Sequence, residues 1–285
     1  MKKYIKSFRD SWNSQIMHEV NRIAVISQNE ALNNRNYDWN NSELYCFYKQ
    51  IHDVLRMYDI KQGVEYKRLG NEYDGGYVVV SPLSRNKICY SIGISDDVSF
   101  DKDMVNNGYE IYQYDHTIKR LPETNEHFHW KKIGITGNKG EADNLETLSQ
   151  MINSNGHTDE DGMFLKMDVE QCEWDVFNTI DSETLSKFDQ IAIELHVLNH
   201  ISRPDYIING LKKLTENHSV IHVHGNNWDI VSYVGDLITP DTIEVTLVKN
   251  DLYELQESNV ILPKLLDRPN VPGVSEIILG KWNVD

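Results

Sequence analysis

From about residue 66 the chain alternates short apolar runs with longer stretches of helical spacing. YKRLGNEYDGGYVVV reads as a hairpin or strand pair turning at Asp74-Gly75-Gly76. KICYSIGI, IYQYD, HWKKIGI, FLKMDV, QIAIEL and SVIHVH follow as short buried strands, with DNLETLSQMI and RPDYIINGLKKL among the helices between them. TIEVTLV and SEIILGKW read as an antiparallel pair at or near an edge. Residues 1–65 differ: they are rich in Asn and Gln, with helical spacing at Ile16, Val20, Ile23 and Ala24, then at Ile51, Val54, Leu55 and Tyr58. The expected organisation is a helical extension over 1–65 (cap, lid or dimer contact) and an α/β domain over 66–285, whose mostly parallel sheet is covered on both faces.

In such sheets ligands bind beyond the carboxyl ends of the strands, where strand order reverses. The polar strand ends are Gly93 and Ser95, Asp115, Asp168 and Glu170, Glu194 and His196, and His222 and His224. The segment FLKMDVEQCEWDVF is the most unusual, with four acids directly behind an apolar run. Asp168 and Glu170 are expected to face a ligand, and Glu173 and Asp175 to complement the dipole of a helix start.

Charge narrows the ligand. With 28 basic against 44 acidic residues the formal charge is −16, which disfavours nucleic acid and an anionic membrane surface. No run approaches the ~20 apolar residues of a membrane span, and the basic N-terminus lacks the apolar stretch of a signal peptide. Three scattered cysteines, Cys46, Cys89 and Cys172, suggest a reducing compartment, so a cytoplasmic protein is expected. The first strand ends in SIGISDDVSFD, where Gly93 stands without the second and third glycines of a dinucleotide loop. Asp96 and Asp97 would repel a pyrophosphate, but they suit the cationic tail of S-adenosylmethionine. Asp115, about twenty residues on, is placed to accept hydrogen bonds from a ribose diol.

The order RLGNEYDGGYVVV, YSIGISDDVSFD, IYQYDHTI, LKMDVEQCEWDVF and IAIELH resembles the FkbM-type methyltransferases, especially a methyltransferase-like branch with a DGGYV element. The resemblance covers about residues 66–250. It implies a class I, Rossmann-like fold and an S-adenosylmethionine-dependent O-methyltransferase. The implied acceptor is a small polar molecule, a sugar or sugar nucleotide of surface polysaccharide synthesis. Two places depart from the commoner family form: SIGIS replaces a DxGAN-like loop, and Gln171-Cys172 replaces a Gly-Ala pair. The candidate cofactor shell is Arg68 (for the methionine carboxylate), Gly76, Gly93, Ser95, Asp97, Phe100, Asp115, His116, Thr136 and Asp168.

Methyl transfer to an alcohol needs an aligned oxygen and a group to take its proton. IAIELHVLNH supplies Glu194, His196 and His200; HVHGNNW supplies His222 and His224. Period two puts Glu194 and His196 on one side. The expected base is His196 or His224, with Asp168, Glu170 and Glu194 orienting it or the substrate. A divalent ion on Asp168, Glu194 and His224 is the alternative, without a compact ligand motif to require it. Two rival functions remain: an NAD(P)-dependent oxidoreductase, and a non-catalytic methyltransferase-like module that binds or dimerises through its N-terminal helices.

Overall fold

A computed structural model describes residues 42–140, 142–199 and 201–284. Its centre is a seven-stranded sheet: β1 (Ile88–Ile92), β2 (Glu110–Tyr114), β3 (Phe128–Lys131), β4 (Met163–Met167), β5 (Phe188–Leu195), β6 (His218–Gly225) and β7 (Ile243–Lys249). The strand order is β6-β7-β5-β4-β1-β2-β3, and only β7 runs antiparallel to its neighbours. This is a doubly wound order with one antiparallel strand inserted before the last. It is consistent with the methyltransferase fold that the sequence resemblance implies.

Side-chain parity assigns the two faces. Tyr90, Ile92, Leu165, Ile191, Ile193 and Leu195 meet the helices α1 (Glu43–Val54), α3 (Leu148–Ser154), α4 (Glu173–Phe177), α5 (Ser182–Ser186) and α6 (Pro204–Leu214). Cys89, Ile111, Phe164 and Ala192 point the other way, onto α2 (Ser99–Asn106) and an antiparallel hairpin, Glu65–Leu69 with Tyr77–Ser81. The second face is therefore covered largely by strand rather than helix. β5 is buried along its whole length yet carries Asp189, Gln190 and Glu194. Buried polar groups need partners. Asp189 holds Arg85 through both carboxylate oxygens, and Gln190 bonds the main chain of Val80 and Leu83, tying the hairpin to the sheet. Glu194 is left for the strand end.

Three expectations change. TIEVTLV forms β7 inside the sheet, between β5 and β6, while SEIILGKW contributes only the short strand Gly280–Lys281, paired with Ile261–Leu262. HWKKIGI breaks after Lys131, and Gly134–Ile135 pairs instead with Leu145–Glu146. The hairpin turns through residues 70–76 rather than at a tight Asp-Gly-Gly corner. At the N-terminal end, α1 is capped by Ser42, whose Oγ accepts the Tyr45 N–H at 3.0 Å. It buries Phe47, Tyr48 and Ile51 in the main core. The earlier helical spacing at Ile16–Ala24 lies outside the described residues. Among the described residues, no helix is long and apolar enough to cross a membrane.

Two buried histidines make the fold acid-sensitive. His52 lies between the Trp282 carbonyl and Thr239, and His218 meets the Phe188 carbonyl; burial lowers both pKa values from 6.5 to about 4. Between those values the unfolded chain takes up protons that the fold excludes, so the contribution of these two histidines to stability falls as pH drops from 6.5 towards 4. The slope is up to roughly 1.4 kcal/mol per pH unit for each histidine. Denaturant melts should show this loss, and His218→Gln should flatten it.

Candidate active site

The strand order reverses between β1 and β4, and the chain is tightest there. Gly93 has φ +82°, and a Cβ on it would lie 1.6 Å from the Asp168 carbonyl oxygen, so only glycine fits. The Asp168 N–H bonds the Ile92 carbonyl at 2.9 Å, fixing the two strand ends together. Beyond Asp168, Glu170 and Gln171 have φ of 51° and 80° before α4 begins. A glycine at position 171 would take that conformation without strain.

Three cavities open around these ends. A cleft of about 550 Å³ is lined by residues including Glu194, His196, Asn226, Trp228, Asp241 and Pro272. A cavity of about 200 Å³ lies against Ile94, Ser95, Asp115, His116, Ile135 and Val169. A third, of about 130 Å³, is lined by Asp74, Gly75, Asp97, Phe100, Asp101 and Lys166 among others. Asp168 and Glu170 line all three.

His196 is held from behind. The fully buried Glu173 Oε1 accepts the His196 backbone N–H at 2.7 Å and faces Nδ1 at 3.1 Å. This directs Nε2 into the cleft, towards Asp168 at 3.8 Å, Glu170 at 3.7 Å and Glu194 at 3.8 Å. Burial opposes a charge on the ring, but Glu173, Glu194 and Asp168 outweigh it and raise the pKa to about 10. Burial also pushes Glu194 well above the carboxylate range; Asp168 and Glu244 add to this, and His196 opposes it. Asn226 donates to Glu194 Oε1 at 2.6 Å.

Several sequence expectations are revised by these contacts. Glu173 does not merely complement a helix dipole, because its carboxylate orients His196; Asp175 bonds the Tyr206 hydroxyl. His224 is engaged at both ring nitrogens, by Glu244 at 3.0 Å and Glu276 at 2.8 Å, and lines none of the three cavities. It is therefore placed neither as base nor as the metal ligand expected beside Asp168 and Glu194. His196, its pKa raised by the carboxylates around it, is not a free base either. Arg68 instead pins the hairpin loop through the Asn71 and Tyr73 carbonyls. Gly75 rather than Gly76 faces a cavity, and Thr136 lines a separate pocket with Thr147 and Thr179.

Asp115 lies at the expected strand end, but its oxygens accept from the Ile94, Ser95 and Thr117 amides and the Thr117 hydroxyl. Burial would raise its pKa, yet these donors hold it below the usual carboxylate value. About four lone-pair sites are thus spent inside the protein, and Asp115 shapes the loop rather than reaching for a ribose. Gly93, Ser95, Asp97, Phe100 and His116 all line the two smaller cavities. His200 lies outside the described residues. The sequence reading passed over Lys166, whose Nζ bonds the Gly93 carbonyl at 2.6 Å and stands 3.8 Å from Asp168. Its period-two relation to Asp168 was the available signal. Asn226 and Asn270, whose partners Glu194, Glu244 and Asp74 are remote in sequence, and the exposed Trp228 were also missed.

The family model described as "Methyltransferase FkbM domain" matches residues 61–230, more than half of the chain. Residues of "Probable methyltransferase-like protein 24" from Homo sapiens are 32% identical over 127 positions, covering 40% of this chain and 34% of that protein. The Rattus norvegicus counterpart is 30% identical over the same length and shares. The match therefore spans about a third of those relatives. A solved 16S rRNA (adenine(1408)-N(1))-methyltransferase variant from Catenulisporales acidiphilia overlays 60% of this chain and 87% of its own, with 12% identity and a TM-score of 0.28. At that similarity the overlay adds nothing to the strand order.

Glu173→Ala should leave the His196 amide and ring without their acceptor and destabilise the protein by about 2–4 kcal/mol. Glu173→Gln, which keeps an acceptor oxygen, should cost less. Chemical denaturation of the two variants checks the order.

Proposed function

The chain belongs to the FkbM methyltransferase family, and from that premise we propose that it is an S-adenosylmethionine-dependent O-methyltransferase acting on a hydroxyl of a small, sugar-like acceptor. The observation that carries this reading is the meeting of three cavities at Asp168 and Glu170. Two hold the parts of one ligand, and the third admits another.

The side chains fit the cofactor chemically. Ile94, Ile135 and Val169 make an apolar slot for an adenine, with His116 and Thr117 at its polar rim. The smaller cavity offers Lys166 to a carboxylate, and Asp74 and Asp97 to an ammonium. When bound, S-adenosylmethionine supplies an electrophilic methyl group on a positively charged sulfur. The same acidic walls disfavour a dinucleotide, whose pyrophosphate they would repel, so the oxidoreductase alternative loses ground.

The acceptor reading rests on the large cleft. Trp228, 56% exposed, forms with Val271 and Pro272 an apolar platform beside Asp229, Asp241 and Asn226. An aromatic plane flanked by hydroxyl-binding side chains suits a carbohydrate ring. Carboxylates on this wall favour an uncharged sugar over its nucleotide-linked form. Asp168 would accept a hydrogen bond from the reacting hydroxyl. Glu170 would take its proton: although its side chain is 85% exposed, partial desolvation by the cleft walls raises its pKa, His196 opposes, and Asp168 and Glu173 add to the rise. His196 stands 3.7–3.8 Å from these two carboxylates and from Glu194, and helps to position them.

Titration calorimetry with S-adenosylhomocysteine and NADH separates the enzyme classes, and only the first should bind. Mass spectrometry of candidate acceptors should then find a gain of one CH₂; cofactor binding without such a gain would favour the non-catalytic module. Glu170→Gln should lower turnover by about 10²–10⁴-fold, with S-adenosylhomocysteine affinity nearly unchanged. An unaltered rate removes Glu170 as the proton acceptor.

A further inference from the structure

We propose that Asp168, Glu194 and His196 form a binding site for one divalent cation at the floor of the large cleft. One oxygen from each carboxylate and one ring nitrogen lie within 4.8 Å of one another. An ion about 2.1–2.4 Å from each ligand separates them by roughly 3–4.5 Å, so little movement is needed to enclose it.

The surroundings of these three atoms are arranged for a guest. His196 has a side chain only 10% exposed, and among the described residues its Nε2 has no hydrogen-bond partner; its nearest carboxylate oxygens stand 3.7–3.8 Å away. Its other nitrogen is engaged by Glu173, the outer carboxylate–histidine contact that fixes a metal-ligating imidazole in place. Glu194 is similarly prepared, with Asn226 occupying Oε1 while Oε2 faces the ring. Among the described residues, no donor reaches hydrogen-bonding distance of the Asp168 carboxylate; Lys166 and His196 both stop at 3.8 Å.

A neighbouring trio, Asp74, Glu194 and Glu244, is less suited. Glu244 already accepts from Asn270 at 2.6 Å and pairs with His224 at 3.0 Å, and Asp74 accepts from Asn270 at 3.2 Å. Two carboxylates and one imidazole favour an ion of the Mn²⁺ or Mg²⁺ class over a thiolate-seeking metal, and on binding it would displace the protons of His196 and Glu194 to solvent. On the methyl-transfer reading above, on which this role depends, the ion would hold vicinal hydroxyls of the acceptor beside Asp168. It would also make the reacting hydroxyl more acidic, with Glu170 still taking the proton.

The test uses the full chain, treated with EDTA, dialysed and titrated with Mn²⁺ under electron paramagnetic resonance, with S-adenosylhomocysteine calorimetry in parallel. One Mn²⁺ per chain is expected, bound at least tenfold more weakly by Glu194→Gln and by Asp168→Asn. Thermal melts confirm that each variant is folded; Asp168, with a side chain 27% exposed, is the safer substitution. Glu110→Gln, at the start of β2 and outside all three cavities, should bind like wild type. Wild-type protein that binds S-adenosylhomocysteine but not Mn²⁺ overturns the metal site and leaves the methyltransferase reading standing. Mn²⁺ binding with equal affinity in all variants also overturns it. Mn²⁺ bound at this site without S-adenosylhomocysteine supports the site and removes its role in methyl transfer.

Discussion

The site depends on one buried carboxylate. Glu173 begins α4, immediately after β4 has delivered Asp168 and Glu170, yet its Oε1 closes on the backbone and ring of His196 at the end of β5. A charge fully removed from water is tolerable only with close partners. Meeting that requirement brings two strand ends into register and turns Nε2 towards Asp168, Glu170 and Glu194. The excess of negative charge that results is the main electrostatic property of the cleft: it adds to the rise in the pKa values of His196 and Glu194 and makes the site receptive to positive charge.

Backbone strain is concentrated in the same place. Ser95, Glu170, Gln171 and Val197 are the non-glycine residues with left-handed φ among the described residues, and each lines one of the three cavities. Such conformations persist where the surroundings hold them, at a cost of about 1–3 kcal/mol each. Here the surroundings are the Gly93–Asp168 approach, the Asp115 hydrogen bonds to the Ile94–Ser95 loop, and the Glu173 bridge. The strain aims side chains into cavities that a relaxed loop would leave pointing elsewhere.

Much of this fold was legible from periodicity, because short apolar strands with polar ends must be buried with those ends at one rim. The location of β7 was not, since TIEVTLV buried on both faces has the same pattern whether it joins an edge or an interior strand. In the site, Asp168, Glu170, Glu194 and His196 could be named because strand ends and alternation are local properties. Glu173 was misread for a physical reason: an acid at a helix start looks the same whether it faces solvent or a histidine 23 residues away. His224 was misplaced likewise, since its partners Glu244 and Glu276 come from 20 and 52 residues further along.

The walls of the cavities have different origins along the chain. Those of the two smaller cavities come from residues 74–172, within the matched family region of 61–230. The large cleft takes Asp241, Thr242, Asn270, Val271 and Pro272 from beyond that region. Kinship therefore informs one half of the crevice and is silent on much of the other. The two halves can therefore vary independently, because residues 241–272 reshape the large cleft without touching the walls of the smaller cavities.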